Sequence, residues 1–196
     1  MGTELKYVDE YQYLKPMPDR PRMRPCFDKR LRFSQEIHCP GCDYDCPSKI
    51  SIKPIITDEM KLMKISTPID VEIEWEEAFG LMMDLLENAN YQARKRGCAG
   101  LAANQIGHLR RIVVVYYGGL FKPFINPVII ESFGGKDRQK EGCLSRPGRR
   151  PAVSRSKKIR VSFYDEAQIY HENVLFTGHT ARVLQHEIAH LDGKYI

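Results

Sequence analysis

"GHTARVLQHEIAHLDG", residues 178–193, decides how the chain is read. Val183, Leu184 and Ile188 fall on one side of a helix drawn over this stretch. His186 and His190 are four residues apart, so on that helix their imidazoles lie one above the other and can reach a single ion. Glu187 lies one step round the helix, near such an ion without being bound to it. This is the H-E-x-x-H arrangement of metal-dependent hydrolases, with the glutamate as general base. The plain alternative is a helix carrying two surface or core histidines.

A catalytic metal ordinarily takes three protein ligands and leaves a fourth position open. After His190 the sequence runs Leu191 to Ile196, with no further His or Glu. The third ligand must come from upstream, where Cys143, His171, His179 and the acids are the candidates. Cys143 stands in "EGCLSRPGR" (141–149), where Gly142 and Pro147-Gly148 mark a turn or strand edge. A thiolate with two imidazoles would leave one position for water. His171 and His179 have polar neighbours and are expected to be solvated. The stretch "GCAGLAANQIG" (97–107) crowds together Gly100, Ala102, Ala103 and Gly107, so a strand, a helix or a substrate approaches this backbone closely. Within it, Gln105 carries a neutral amide that can both donate and accept.

Around these motifs the chain reads as α+β. Trp75, Ala78, Phe79, Met82, Leu85, Leu86 and Ala89 recur at spacings of three and four, which predicts a helix over about 74–94. Lys95-Arg96-Gly97 marks its end. "RRIVVVYYGG" (110–119) reads as a buried strand, "FINPVIIESF" (124–133) and "KIRVSFYD" (158–165) as further strands, and "NVLFTG" (173–178) as a short one. Strands cluster between two helices, which is not an alternating βαβ order.

Composition narrows the function classes. With 42% hydrophobic and 28% charged residues, the 196-residue chain has enough apolar material for a core and is not a disordered polyelectrolyte. No apolar run is long enough to span a bilayer, so no membrane partner is expected. The opening residues show no secretory signal, and the cytoplasm is the expected compartment. There the six cysteines are ligands, reactive thiols or core residues rather than disulfides. Net charge is +5, and residues 136–160 hold ten Lys or Arg against Asp137 and Glu141. That run is either a solvated surface or a contact for an anionic partner, such as RNA or a peptide carboxylate.

Residues 1–52 differ from the rest. They contain six of the twelve prolines and four of the six cysteines, and read as an irregular extension ahead of a catalytic domain over 53–196. "HCPGCDYDC" (38–46) spaces Cys39, Cys42 and Cys46 like a zinc knuckle, with Cys26 or His38 to complete a structural Zn²⁺ site. A redox-active Cys-x-x-Cys and a tail with incidental thiols are the alternatives. A small zinc module would dock on a ribosome, on RNA or back on the catalytic domain.

In order, "AGLAANQIG", "EGCLS" and "QHEIAH" closely resemble the three signature motifs of peptide deformylases. "MKISTPI" (63–69) and "FINPVII" (124–130) extend the resemblance to about residues 53–196. It implies antiparallel or mixed β-sheets packed around a C-terminal metal-binding helix, and removal of the formyl group from N-terminal formyl-methionine of new chains. It also implies one divalent cation held by Cys143, His186 and His190 with water as fourth ligand. Fe²⁺ is expected, with Zn²⁺, Ni²⁺ or Co²⁺ as substitutes. Glu187 would take the proton of the attacking water. Gln105 and the Leu144 N–H would hold the oxyanion, and Gly100 would pair with the peptide as an added strand. Leu101, Leu144 and parts of the His186 helix would form the methionine pocket. Glu141 would pair with a positive group, for which Arg155 is the expected partner.

Three features depart from the family pattern. Cys98 stands where a glycine is usual, Arg146 where an apolar residue commonly follows, and the chain stops without a longer closing helix. Shortened forms of this kind occur among phage-encoded and some bacterial members. Two rival readings follow: a related hydrolase with another acyl or peptide substrate, and a ribosome- or RNA-associated binder on a degenerate scaffold. The complete set of ligands and base weighs against the binder.

Overall fold

The computed structural model describes residues 52–194. The cysteines of the expected second zinc site, Cys26, Cys39, Cys42 and Cys46, lie outside the described residues. A single-turn helix α1 (Glu59–Leu62) and a long helix α2 (Trp75–Arg96) come first. A five-stranded sheet follows: β1 (Gly100–Ala102), β2 (Ile112–Tyr117), β3 (Leu120–Lys140), β4 (Ala152–Tyr164) and β5 (Tyr170–Thr177). A 3-10 turn over Ala103–Ile106 joins β1 to β2, and helix α3 (Gly178–Leu191) closes the order. Each strand pairs antiparallel with the next in sequence, so the sheet is a meander and the fold is α+β as expected. No helix among the described residues is long and apolar enough to cross a membrane.

The apolar run in β2 explains the layering. Side chains alternate across a strand. Ile112 and Val114 join Leu81, Met82, Leu85 and Ala89 of α2 in one core cluster. Val113 and Val115 join Leu184, Ile188 and Leu191 of α3 in the other. A strand buried on both faces has no polar side to show, hence the unbroken "IVVV". The metal-motif helix is therefore one of two layers on the sheet, held by core packing along its apolar side.

The α2 stripe differs in one detail from the periodic reading. Leu81 is buried, whereas Phe79 is substantially exposed. The buried set Ala78, Leu81, Met82, Leu85 and Ala89 keeps strict three- and four-residue steps, and Phe79 falls just beyond its edge. Gly97 ends the helix in the left-handed conformation at φ 68°.

Strands β3 and β4 run well past their apolar segments. Their outer halves expose most side chains, yet the ladder continues to Lys140↔Ala152. Backbone pairing satisfies itself whatever the side chains are, so a pattern of apolar residues marks where the core ends and not where the strand does. Gly134 and Gly135, both at φ 76°, sit in the register shift between Phe133 and Lys136. This long hairpin carries Cys143 in its closing loop.

Asn126 locks the loop before α2 onto β3. It takes φ 50°, accepts from the Ile69 N–H (2.8 Å) and donates to the Ile69 carbonyl (2.7 Å). Asn126→Ala leaves both Ile69 groups without these partners and is expected to cost about 1–3 kcal/mol. Urea denaturation measures this, and an unshifted midpoint would show that the bracket adds nothing.

Candidate metal centre

The β3–β4 loop and α3 bring three ligand atoms together. The ligating atoms of Cys143, His186 and His190 all lie within 4.8 Å of one another. Cys143 Sγ is 3.2 Å from His190 Nε2, and the two imidazole centroids are 5.0 Å apart. Of the other candidates, His171 is half-buried and lies outside the cluster: its Nε2 pairs with Asp165 Oδ2 at 2.7 Å and its ring stacks on Phe163. His179 is exposed on the first turn of α3, at the mouth of the pocket.

The donor set fits a divalent cation. His186 Nδ1 donates to Glu141 Oε2 at 2.9 Å, which leaves Nε2 for a ligand and fixes the ring. Burial, then the charges of His186 and Arg155, pull His190 down to about 3, so it stays a neutral imidazole. Burial also acts against a charged His186, but its bonds to Cys143 and Glu141 outweigh this and raise it to about 10. A cation binding at Nε2 thus displaces a proton at neutral pH. A sulfur and two nitrogens suit borderline-soft divalent metals.

Glu187 occupies the expected place beside the histidines. It is almost fully buried, and its Oε2 has no hydrogen-bond partner among the described residues. Burial pushes its carboxyl up to about 7, against the lowering influence of His186 and Arg155. A carboxyl that changes charge near neutrality, unbonded and facing a ligand cluster, suits proton transfer.

Glu141 anchors the site. Burial alone would raise its carboxyl, but bonds from His186 and Arg155 hold it at about 2. Arg155 Nε donates to Oε1 (2.8 Å) and Nη2 to Oε2 (2.8 Å), so the expected partner is present in a two-pronged pairing. Arg182 also donates to Oε1, and reaches the Asp137 carbonyl at 2.6 Å. Sequence reading missed Arg182. The available signal was its place four residues before His186, on the same face of the helix. Gln185, also missed, trades hydrogen bonds with both backbone groups of Ser156 (3.0 and 2.9 Å).

The small-residue stretch packs against α3. A Cβ on Gly100 would meet Val183 Cγ1 at 2.6 Å and Glu187 Oε1 at 2.7 Å. Helix α3 is what approaches this backbone, and it seats Glu187 beside β1. Strand β1 ends the sheet, with its second edge unpaired among the described residues. Gln105 Oε1 accepts from the Ala102 N–H (2.9 Å), and this aims Nε2 at Ser145 Oγ (3.2 Å) and Cys143 Sγ (3.6 Å). A cleft of about 620 Å³ is lined by Gly100, Cys143, Leu144, Val183, His186 and Glu187, among others. Leu101 departs from expectation. Its side chain is fully buried in the α2-side core and does not line the cleft, because β1 alternation turns it away from Gly100's neighbours on α3. Cys98 lines the cleft as a protonated thiol: burial and the Glu187 charge raise it to about 12, and Sγ donates to the Gly100 carbonyl at 2.9 Å.

A helix bearing H-E-x-x-H, a cysteine from a neighbouring hairpin and a buried free carboxylate define a metallohydrolase. The family pattern of polypeptide deformylase matches residues 52–196, and the chain belongs to that family. Peptide deformylase of Leptospira biflexa is 36% identical over 153 residues, covering 68% of this chain and 83% of its own. The crystal structure of a peptide deformylase from Legionella pneumophila superposes with TM-score 0.64 at 34% identity, over 74% of this chain and 83% of that one. PDF from a Vibrio parahaemolyticus bacteriophage, solved in complex with actinonin, gives TM-score 0.62 at 33% identity, over 73% and 99%.

Glu141→Ala leaves two arginines and a histidine around a lost carboxylate and is expected to destabilise by about 3–5 kcal/mol. The folded pKa of Glu141 lies below the ordinary 4.5. Its stabilisation is therefore complete above that value and is lost as pH falls toward 2. Acid unfolding of wild type against Glu141→Gln measures this, and equal slopes below pH about 4.5 would remove Glu141 as the linkage group.

Proposed function

We propose that Cys143, His186 and His190 hold one divalent cation, and that the residues around it hydrolyse the N-terminal formamide of formyl-methionyl peptides. The clustering of those three ligand atoms beside Glu187, whose Oε2 has no hydrogen-bond partner among the described residues, carries this reading. When bound, the cation acidifies water and polarises the formyl oxygen. Glu187 accepts a proton from the attacking water and passes it to the departing amine. Water adds to the formyl carbon, the C–N bond breaks, and formate and a free α-amine leave. Gln105 Nε2 and the Leu144 N–H donate to the oxygen that becomes negative. The edge of β1 at Gly100, unpaired among the described residues, takes the peptide backbone as an added strand. Val183 and Leu144, both on the cleft wall, accept the methionine side chain.

Fe²⁺ is the proposed resident metal, with Zn²⁺, Ni²⁺ or Co²⁺ able to replace it, since thiolate and imidazole serve all four. The working compartment is the cytoplasm, with nascent chains on the ribosome as the source of substrate. Residues 1–52 are proposed as a separate extension with a structural Zn²⁺ on Cys39, Cys42, Cys46 and either Cys26 or His38.

Glu187→Ala is expected to retain its metal and lose about 10²–10⁴-fold in kcat on formyl-Met-Ala-Ser. Near-normal turnover would overturn its role as base. Cys143→Ser is expected to lose metal on dialysis, because a hydroxyl is a poor ligand for these ions. Metal content unchanged by elemental analysis would remove Cys143 from the ligand set.

A further inference from the structure

We propose that the mouth of the cleft selects formylated peptides carrying Asp or Glu shortly after the formyl-methionine; this rests on the hydrolase reading above and deepens it. Six basic residues line the cleft, Arg96, Lys140, Arg146, Arg149, Arg150 and Arg182, against two acids, Glu141 and Glu187. The acids are already committed: Glu141 to Arg155, Arg182 and His186, and Glu187 to the buried floor. Of the six, Arg182 is therefore neutralised and buried. The other five stand around the opening, Arg146 already engaged in an interaction of its own and the other four supplying the charge of the rim. Arg96, Lys140, Arg149 and Arg150 are exposed, and Arg146 is half-buried beside the ligand loop.

The two walls supply these charges from different elements. Arg96 ends α2, immediately before Gly97 and β1. Lys140 ends β3, and Arg146, Arg149 and Arg150 belong to the loop that presents Cys143. Arg150 reaches back over that loop, since a Cβ on Gly142 would lie 3.7 Å from its Nε. A substrate whose formyl group reaches Cys143 and Glu187 must lead the rest of its chain out between these walls. Its second to fourth residues then pass through a positive field in a cleft with low-dielectric sides, where carboxylates are favoured and ammonium groups repelled. Fixed charges placed on both sides discriminate mainly through repulsion of the wrong peptide. A nucleic acid would also answer to the charge. It is the weaker reading, because the arginines converge on a cleft with the reacting groups at its floor and not on an open groove.

The test uses the metal-loaded full chain and three formylated peptides with amidated C-termini: formyl-Met-Ala-Glu-Glu, formyl-Met-Ala-Ser-Ser and formyl-Met-Ala-Lys-Lys. Expected is an order of kcat/KM of acidic, neutral, basic, with an acidic-to-basic ratio of about tenfold or more at low ionic strength. That ratio shrinks in about 0.5 M salt. In Arg149→Gln/Arg150→Gln the ratio falls severalfold. It is taken within one preparation, so partial unfolding or metal loss does not move it. Equal turnover of the three peptides, or an unchanged ratio in the double variant, overturns the inference. Equal turnover combined with inhibition by a short single-stranded RNA would assign the rim to nucleic acid instead, which also overturns it. If none of the peptides is deformylated, the hydrolase reading fails and takes this inference with it.

Discussion

One buried carboxylate holds the working parts together. Glu141 sits where β3 ends, two residues before Cys143, and it accepts from Arg155 on β4 and from Arg182 and His186 on α3. A lone buried anion would be prohibitively unstable, and two buried guanidiniums equally so. Together they are satisfied, but only when hairpin and helix meet in one geometry. That geometry also orients the His186 ring and places the Cys143 loop against it. Stability and ligand placement thus depend on the same group.

The rest of the site follows from how closely the layers approach. Helix α3 rests on β1 at a point where no side chain fits, so Gly100 lets Glu187 lie against the edge strand. Asn104, in the 3-10 turn, donates to the His190 carbonyl at 2.7 Å and ties the ligand end of the helix to the same segment that orients Gln105. Glu187, Gln105 and the clustered Cys143, His186 and His190 are each fixed by a neighbour of another. Cys98 joins this packing outside the cluster of Cys143, His186 and His190, with its Sγ donating to the Gly100 carbonyl.

The apolar face of α2, the burial of β2 and the helical histidine pair were legible in the sequence, because each is a local periodicity or a spacing. Arg155 as partner of Glu141 was a guess within the family resemblance, since charge alone did not separate it from the nine other basic residues of 136–160. What escaped notice depended on register. The full length of the β3–β4 hairpin did, since paired backbone carries no apolar signature. Leu101 was placed in the methionine pocket by the family resemblance, and a three-residue strand is too short to show in the sequence which way its side chains alternate. Arg182 and Gln185 read as ordinary polar helix residues until β3 and β4 are set beside them.

The sequence by itself therefore determined a helical pair of imidazoles with a carboxylate beside it, on a chain of α+β order, while the thiol was one of several upstream candidates until the family resemblance singled it out. Tertiary structure alone decided which atoms face one another. It set Nδ1 of His186 on Glu141, turned the Gln105 amide toward Cys143, sent Leu101 into the core and gathered the basic residues of α2, β3 and the cysteine loop around one opening. Covalent spacing fixes neighbours along a helix turn. Contacts between residues some forty positions apart exist only once packing and strand register have chosen a single arrangement.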